Sequence, residues 1–489
     1  MINPAPLFAA LLAATSCGDS KEPTEKNAPS GAKAEPSEAS GPKAKPNAPH
    51  LILIVLDTVR RDHLSAYGYE RDTSPNLKKL VARGVKFTAA SSNAPWTHPA
   101  HASILSGLHT SRHGARYAGR GAEGKEPILR PGNSIVFLHQ LLKQAGYATL
   151  ASVGAPVLSP GFGVTADFDQ FDGARPDEEP SASEVNQRLL ARLDKLEGKQ
   201  PLFALVNYYD AHSPYTARPE HAPWIDRGSM VRQVDLAQQV DGVPIFARLA
   251  AGTARLDPAR QAAAIDNYDS EIARADAALG ELIAALDERG LLKNAIVAIT
   301  SDHGEYFGEH GLYDHGRTLY HELTDAPLVM IGPDVEVGRT VDAAVQTLDL
   351  FATFLEAAGL TIPAANQGSS LWPLLRGKSG HQPHPIAAEA FADPALVKSA
   401  SIYSRDYRSL TAGSTKLIVS EPPAGKGELY DLAADSSERD NQAVDRPDDA
   451  ALLSKALEDW LPSVPQARSA AVELSGEERK RLKELGYIS

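Results

Sequence analysis

The chain has 489 residues, of which 43% are hydrophobic and 23% are charged. These fractions are close to those of globular proteins, so they exclude a wholly disordered, collagen-like or coiled-coil protein. At roughly 100–200 residues per domain, the length allows several domain-sized units or one large α/β domain with insertions. The 49 Lys and Arg residues against 62 Asp and Glu residues give a net charge of −13, which argues against nucleic-acid binding through a basic surface.

The single cysteine, Cys17, excludes an internal disulfide and a cluster of cysteine metal ligands. It follows an apolar run, residues 7–16, that has the length of a signal-peptide core and is too short to cross a bilayer. Residues 18–49 are rich in Pro, Ser, Ala, Lys and Glu, a composition that predicts a disordered linker.

The arrangement of residues 1–17 resembles a bacterial lipoprotein signal, in which the cysteine becomes the lipidated N-terminus. The resemblance implies an exported protein held in the bacterial envelope, periplasmic or on the cell surface, whose only membrane contact is this lipid anchor. A cytoplasmic protein with an unstructured N-terminus is the alternative.

The folded part begins with a continuous apolar run, residues 50–56, that ends at Asp57. Such a run is typical of a central strand in a parallel sheet covered on both faces. Asp57 then lies at the carboxyl end of that strand, where α/β sheets bind their ligands. Similar runs predict further strands over residues 147–153, 201–209, 295–300 and 327–331.

Helical patterns lie between these runs, over residues 75–83, 134–145 and 258–289. Alternating strands and helices predict an α/β/α sandwich around a mostly parallel central sheet, with a catalytic domain over residues 50–379. Beyond residue 380 short strands near residues 387–389, 409–410 and 416–419 precede a charged helical tail, which predicts a smaller C-terminal α+β subdomain. Residues 226–262 interrupt the core pattern and are interpreted as a lid or a substrate loop.

Three coordinating groups follow two of the predicted strands. Asp57 comes after the first strand, and Asp302 and His303 come after the strand over residues 295–300. Because the carboxyl ends of parallel strands meet at one edge of a sheet, these side chains are expected to lie close together. Two carboxylates and an imidazole at one edge predict a divalent cation site.

These residues and several other segments are similar to the sulfatase branch of the alkaline phosphatase superfamily, from residue 50 onward. In that family a cysteine or serine nucleophile stands at a helix N-terminus, and the segment from Thr97 to Gly107 fits the frame of that motif with threonine at the nucleophile position. The resemblance implies an alkaline-phosphatase-like fold and a divalent metal bound by Asp57, Asp302 and His303. Further similar segments are residues 209–215, 268–271, 428–432 and 482–487.

The departures from the family pattern bear on the chemistry. Sulfatases proper convert the Cys or Ser of this segment to formylglycine, whereas the Cβ of Thr97 carries a methyl group and cannot become that aldehyde. His101 stands in place of the family's Arg, and Thr58 replaces a second metal-binding Asp. The chain therefore looks more like the threonine-nucleophile members, which include phosphodiesterases, phosphoglycerol and phosphoethanolamine transferases and phosphomutases.

The expected function is a metal-dependent hydrolase or transferase of phosphate or sulfate esters that works through a covalent Thr97 intermediate. Phosphate is favoured, because a Thr97 ester must be attacked at the transferred atom itself. The substrate is an anionic ester, and the oligomeric state is left open. The alternatives are a sulfuric ester hydrolase of the arylsulfatase kind and a catalytically silent, ligand-binding relative of the fold.

The expected roles of the site residues follow from the same resemblance. Asp57, Thr97, Asp302 and His303 are expected to bind one cation, Ca²⁺, Mg²⁺ or Mn²⁺, with Zn²⁺ preferred if more histidines join. Thr97 is the expected nucleophile. His101 is expected to support the nucleophile. His212 and His315 are expected to act as general acid and base or, with Asp210, to hold a second metal. Binding of the substrate anion is expected from His212, His310 and Arg317.

Overall fold

A computed structural model describes residues 44–45, 47–119, 126–175, 178–196, 200–381, 383–421, 427–461 and 469–488. Within this part of the chain, a nine-stranded sheet forms the centre of the molecule. Its strands are β1 (His50–Leu56), β2 (Val85–Ser91), β3 (Ala148–Val153), β4 (Gln170–Gly173), β5 (Leu202–Tyr208), β6 (Ala295–Ser301), β7 (Asp325–Ile331), β8 (Arg339–Val341) and β9 (Val345–Gln346). The order across the sheet is β8, β2, β7, β6, β1, β5, β3 and β4, and β9 also pairs with β2.

The helices are α1 (Pro75–Val81), α2 (Thr97–Ser106), α3 (Leu138–Gln144), α4 (Ala182–Leu193), α5 (Pro258–Glu288), α6 (Asp349–Ala358), α7 (Pro447–Trp460) and α8 (Gly476–Glu484). Short helical turns are Thr110–His113, Ile245–Ala250, His321–Thr324 and Trp372–Leu375. Helices α2, α3 and α6 pack on one face of the sheet, and α1, α4 and α5 pack on the other.

Strand β1 shows why this sequence forms a sheet covered on both sides. Successive side chains of a strand point to opposite faces. Leu53 and Val55 accordingly pack in one hydrophobic core and Ile52 and Ile54 in the other, and all four are fully buried. Because β1 pairs in parallel with both β5 and β6, the three strands end at the same edge of the sheet.

The predicted α/β/α sandwich with a mostly parallel sheet is confirmed, with three corrections. Strand β7, which contains the predicted run 327–331, is antiparallel to both neighbours, β6 and β2. The chain between β6 and β7 stays at one edge of the sheet, so β7 must run back in the opposite direction. Strand β2 was not predicted, because Lys86, Thr88 and Ser91 interrupt its apolar residues and leave no continuous apolar run. Helix α3 begins at Leu138, four residues later than predicted, where the Gln140 side chain caps the backbone N–H of Phe137.

The predicted C-terminal sheet is also present. Its strands are β10 (Ile386–Ala390), β11 (Asp406–Ala412), β12 (Thr415–Glu421) and β13 (Glu428–Asp431), which form an antiparallel sheet in that order. Leu453 and Leu457 of α7 pack on this sheet. Residues after α8 behave differently, because Leu485, Tyr487 and Ile488 join the core of the main sheet.

The N-terminal predictions fall mostly outside the described residues. The signal segment 1–17 with Cys17 and most of the linker 18–49 are among them. Where the end of that linker is described, it contacts the domain, since the Ala44 N–H donates to the Ala145 carbonyl at 2.9 Å. A search of the described helices finds none long and apolar enough to span a bilayer.

The interruption at residues 226–262 folds over the core. It contains two short paired strands, Gln239–Val240 and Val243–Pro244, and the helical turn Ile245–Ala250. Phe246 in that turn is fully buried and lies under the Arg317 guanidinium, 4.6 Å from it. Its interpretation as a lid or substrate loop stays a prediction.

Candidate active site and metal centre

The edge where β1 and β6 end brings four predicted residues together. Asp57, Asp302 and His303 are fully buried, and each has one potential ligand atom within 4.8 Å of the other two. Thr97 is the first residue of α2, and its Oγ1 lies 3.3 Å from Asp57 Oδ1 and 3.3 Å from His303 Nε2. The convergence expected from parallel strand ends is therefore present.

The hydrogen bond of His303 selects the tautomer that suits a ligand. Its Nδ1 lies 2.9 Å from the Gly304 carbonyl oxygen, so Nδ1–H donates and Nε2 is left without a proton on the side of Thr97. Burial lowers the pKa of His303 to about 4, in spite of the negative Asp302 beside it. The imidazole is therefore neutral near pH 7, as metal coordination requires.

The two carboxylates need a positive partner between them. Burial and the charge of Asp302 together raise the pKa of Asp57 well above its usual range. For Asp302 burial acts in the same direction, but the neighbouring His303 and His101 side chains outweigh it and the pKa is lowered to about 2. Asn207 Nδ2 donates to Asp57 Oδ2 at 3.0 Å. A cation would remove the repulsion between the carboxylates.

An unpartnered atom shows where such a cation fits. Asp302 Oδ1 accepts the backbone N–H groups of Thr58 at 3.2 Å and His303 at 2.9 Å. Asp302 Oδ2 is buried and accepts no hydrogen bond of good geometry. A buried carboxylate oxygen without a donor is costly, and a bound cation satisfies it. Two carboxylates, a hydroxyl and a neutral imidazole make a donor set that suits a divalent metal.

His101 lies one helical turn after Thr97 and contacts its backbone. His101 Nδ1 is 2.9 Å from the Thr97 carbonyl oxygen and 3.4 Å from Asp302 Oδ2. His101 therefore contacts Thr97 through the backbone carbonyl and not through the hydroxyl, and its support of the nucleophile stays a prediction. The i to i+4 spacing on α2 explains this, because it aligns the imidazole with the carbonyl oxygen of the preceding turn.

His212 and His315 lie next to this group, as predicted. The ring centroids of His303 and His315 are 4.5 Å apart, and those of His212 and His315 are 4.9 Å apart. His212 Nδ1 donates to the Ser213 carbonyl at 2.7 Å, and its buried Nε2 has no hydrogen-bond partner. Burial alone would lower the pKa of His315. The charge of Glu305, 3.2 Å from its Nδ1, outweighs burial, so the pKa of His315 is raised above its usual value.

Asp210 does not join the two histidines. Its carboxylate lies 2.6 Å from Arg274 Nε and accepts the backbone N–H of Ala182 at 2.8 Å, at the start of α4. Among the described residues, Asp210, His212 and His315 do not form a group with converging ligand atoms. The Arg274 charge and the α4 N-terminus hold the Asp210 carboxylate in this position, and the expected second-metal set stays a prediction.

Two expected substrate-binding residues are engaged by other protein groups. The His310 ring stacks on Tyr320 with centroids 3.8 Å apart, and its Nε2 lies 3.4 Å from Glu322. His310 therefore does not belong to the Thr97 group, by which we mean Asp57, Thr97, Asp302 and His303. Arg317 donates to Asp314 Oδ1 at 3.0 Å and to the Gly486 carbonyl at 3.1 Å. The expectation that they contact the substrate anion thus finds no support in the structure.

Tyr487 is a site residue that the sequence analysis missed. Its hydroxyl lies 3.1 Å from Thr97 Oγ1 and accepts a hydrogen bond from the Tyr209 hydroxyl at 3.3 Å. Thr97 is 0% and Tyr487 2% exposed, so the phenol covers the expected nucleophile. The available signal was the similarity of residues 482–487 to the family, which gave that segment no chemical role.

Comparison with known proteins agrees with this geometry. The sulfatase family model matches residues 49–360, and a model described as the C-terminal part of N-sulphoglucosamine sulphohydrolase matches residues 308–464. A sulfatase of Formosa agariphila is 24% identical over 446 residues, which cover 81% of this chain and 83% of that protein.

Solved structures share the fold. One, in complex with its substrate D-glucosamine-2-N,6-O-disulfate, has a TM-score of 0.69 and 19% identity over 86% of this chain and 100% of the other. The phosphonate monoester hydrolase of Silicibacter pomeroyi has a TM-score of 0.66 and 18% identity over 87% of this chain and 100% of the other. With its mostly parallel sheet, its converging site and a family match over most of its length, the chain belongs to the sulfatase family of the alkaline phosphatase superfamily and is an ester hydrolase.

Proposed function

We propose that this protein is a metal-dependent hydrolase or transferase of phosphate esters in which Thr97 forms a covalent intermediate. The observation that carries the proposal is the position of Thr97 Oγ1, 3.3 Å from both Asp57 Oδ1 and His303 Nε2 at the start of α2. A hydroxyl in contact with a carboxylate and a neutral imidazole has acceptors for its proton. It also lies at the positive end of a helix, which favours an anionic group.

The residues that hold the metal in this proposal are Asp57, Thr97, Asp302 and His303. Members of the family generally bind a divalent metal, and the oxygen-rich set suits Ca²⁺, Mg²⁺ or Mn²⁺. When bound there, the ion lowers the pKa of the threonine hydroxyl and neutralises charge on the transferred group. His303 is kept in the ligand tautomer by the Gly304 carbonyl.

The reaction has two balanced steps. Thr97 Oγ1 forms a bond to phosphorus as the bond from phosphorus to the alcohol oxygen breaks, and the alcohol leaves with a proton. Water or a second alcohol then attacks phosphorus, the bond to Oγ1 breaks, and Thr97 regains its hydroxyl proton. In this proposal His315, whose ring lies beside His303, and His212, whose ring lies beside His315 and whose Nε2 is buried without a partner, hold the ester oxygens or the leaving group.

The choice of phosphate over sulfate rests on Thr97. A formylglycine hydrate releases sulfate by elimination, whereas a threonine ester must be attacked at the transferred atom. A doubly charged phosphate monoester also gains more from a metal-rich site than a singly charged sulfate ester does. Sulfate ester hydrolysis is the second candidate, because the name of the Formosa agariphila relative is sulfatase.

Mass spectrometry of the covalent intermediate separates the two candidates. The metal-loaded enzyme is incubated with phosphomonoester, phosphodiester and sulfate ester substrates, quenched in acid and digested. We expect a phosphate adduct on the peptide that contains Thr97, its absence in Thr97→Ala, and a phosphoserine adduct in Thr97→Ser. A sulfate adduct, or sulfate release without activity on any phosphate ester, would show that the phosphate assignment is wrong.

A further inference from the structure

A second group of potential metal ligands lies apart from the residues around Thr97. His310 is in the loop between β6 and β7, and His321 and Glu322 open the helical turn His321–Thr324. One nitrogen from each histidine and one oxygen of Glu322 lie within 4.8 Å of one another. The group shares no residue with the Asp57, Asp302 and His303 set, so it stands independently of the proposed reaction.

The polar atoms of this group lack partners. Glu322 is 2% exposed, and neither of its carboxylate oxygens has a hydrogen bond. His310 Nε2 and His321 Nδ1 are also buried and unpartnered. Buried polar atoms in native proteins almost always have partners, so a cluster of unpartnered atoms that face each other indicates a missing ligand. With both imidazoles neutral and their free nitrogens facing the carboxylate, such a group can bind a cation.

The two histidine–carboxylate contacts are close but do not have the geometry of hydrogen bonds. His321 Nδ1 and His310 Nε2 lie 3.2 Å and 3.4 Å from Glu322 Oε2, and neither contact has hydrogen-bond geometry. By contrast, His63 Nδ1 and Asp269 Oδ1 in the same molecule are 2.7 Å apart. Two ligand atoms at about 2.0–2.1 Å from a tetrahedral zinc ion are about 3.3–3.4 Å from each other. The two histidine–carboxylate separations are close to those of atoms that share a metal, and the two imidazole nitrogens lie within 4.8 Å of each other.

The surrounding structure holds the three side chains in place. His310 adopts a left-handed backbone conformation with φ of 54°, which is uncommon for a residue with a Cβ, and its ring is stacked on Tyr320. The backbone N–H of His321 donates to Glu438 Oε2 at 3.1 Å, and Lys416 neutralises that carboxylate from 2.7 Å. The backbone conformation of His310 and the stacking on Tyr320 together fix the position of its imidazole.

We propose that His310, His321 and Glu322 bind a zinc-class transition metal ion, with water as the remaining ligand. Two imidazoles and one carboxylate are a typical zinc donor set. The ion would join the loop of His310 to the turn whose Leu323 carbonyl accepts the N–H of Gly304 at 3.0 Å. Because Gly304 directly follows His303, this second ion would stabilise the segment that positions His303 in the active site.

The test counts metal ions in the purified full-length chain. Asp302→Ala serves as the background, because it removes a ligand of the first site. After chelation and dialysis against Zn²⁺, we expect this variant to retain one zinc equivalent by elemental analysis. We expect Asp302→Ala/His321→Ala and Asp302→Ala/Glu322→Gln to lose it. Two matched controls should keep the equivalent. His221→Ala changes a partly exposed histidine outside every group of potential ligands among the described residues, and His315→Gln changes a histidine of another such group, Glu305, Asp314 and His315.

A second measurement leaves His310, His321 and Glu322 unchanged, so its result does not depend on whether the double variants fold. Titration of the folded Asp302→Ala protein with Co²⁺ should produce the visible absorption of a four-coordinate ion with nitrogen and oxygen ligands. Absence of both the zinc equivalent and the cobalt spectrum in this background would overturn the proposal and leave an imidazolium–carboxylate pair. Loss of the equivalent in His315→Gln instead of His321→Ala would place the ion elsewhere and would also overturn it.

Discussion

At the level of single residues, Asp302 is the side chain on which the proposed metal centre most depends. One of its oxygens accepts two backbone N–H groups, and the other is buried without a hydrogen bond. We expect Asp302→Ala to lose the ion of the first site and more than about a hundredfold in kcat/KM. Elemental analysis with Mg²⁺, Mn²⁺ or Ca²⁺ as the added ion measures the first effect. The control is Asp241→Asn, a change of an exposed side chain. Stoichiometric Mg²⁺ or Ca²⁺ in Asp302→Ala would contradict the first-site assignment, whereas a zinc equivalent bound by His310, His321 and Glu322 would not.

Tyr487 offers a second test at this scale. Tyr487→Phe keeps the ring but removes the hydroxyl that contacts Thr97 and accepts from Tyr209. A buried hydrogen bond contributes about 1 kcal/mol, so we expect kcat to fall roughly fivefold and the protein to lose about 1–3 kcal/mol of stability. Tyr403→Phe, a change of a buried tyrosine outside the Thr97 group, is the control. Unchanged kcat in Tyr487→Phe would mean that its hydroxyl only covers Thr97.

At the level of secondary-structure elements, helices far apart in sequence are joined by one carboxylate. Asp276 in α5 accepts the backbone N–H groups of Asn76 and Leu77, at 2.8 Å each, and so caps the N-terminus of α1. We expect Asp276→Ala to lower the free energy of unfolding by about 1–3 kcal/mol, since two buried donors lose their partner. Chemical denaturation followed by circular dichroism measures this. The exposed Asp287 of the same helix is the control, and an equal loss in Asp287→Ala would exclude capping as the cause.

At the level of the whole molecule, the N-terminal segment bears on where the chain is held in the cell. We propose that Cys17 is lipidated and that residues between it and the domain act as a tether. The described residues Ala44 and Pro49 already contact the domain, so the tether ends before them. Cys17→Ser should move the protein from the membrane fraction to the soluble fraction, with its activity per molecule retained. A Ser16→Ala change is the control, and unchanged membrane fractionation of Cys17→Ser would argue against the anchor.

The sequence by itself determined the buried central strands, the α/β/α layers and the convergence of Asp57, Asp302 and His303. The β1 run is apolar at every position from Leu51 to Leu56, so both of its faces pack in a core and it is a buried central strand. Because parallel strands end at one edge of the sheet, Asp57 lies next to Asp302 and His303. These features depend on local patterns and on a general rule of α/β topology, so they can be predicted without coordinates.

The tertiary structure alone decided the direction of side chains in loops and the contacts between distant segments. Asp210 and His212 are two residues apart, yet Arg274 on α5 draws one away while the other stays beside His315. Tyr487 reaches Thr97 from 390 residues further along the chain. A periodic pattern carries no information about which charged residue of another helix a loop side chain meets, nor about where a terminal segment packs. Those contacts depend on the complete arrangement of the folded chain.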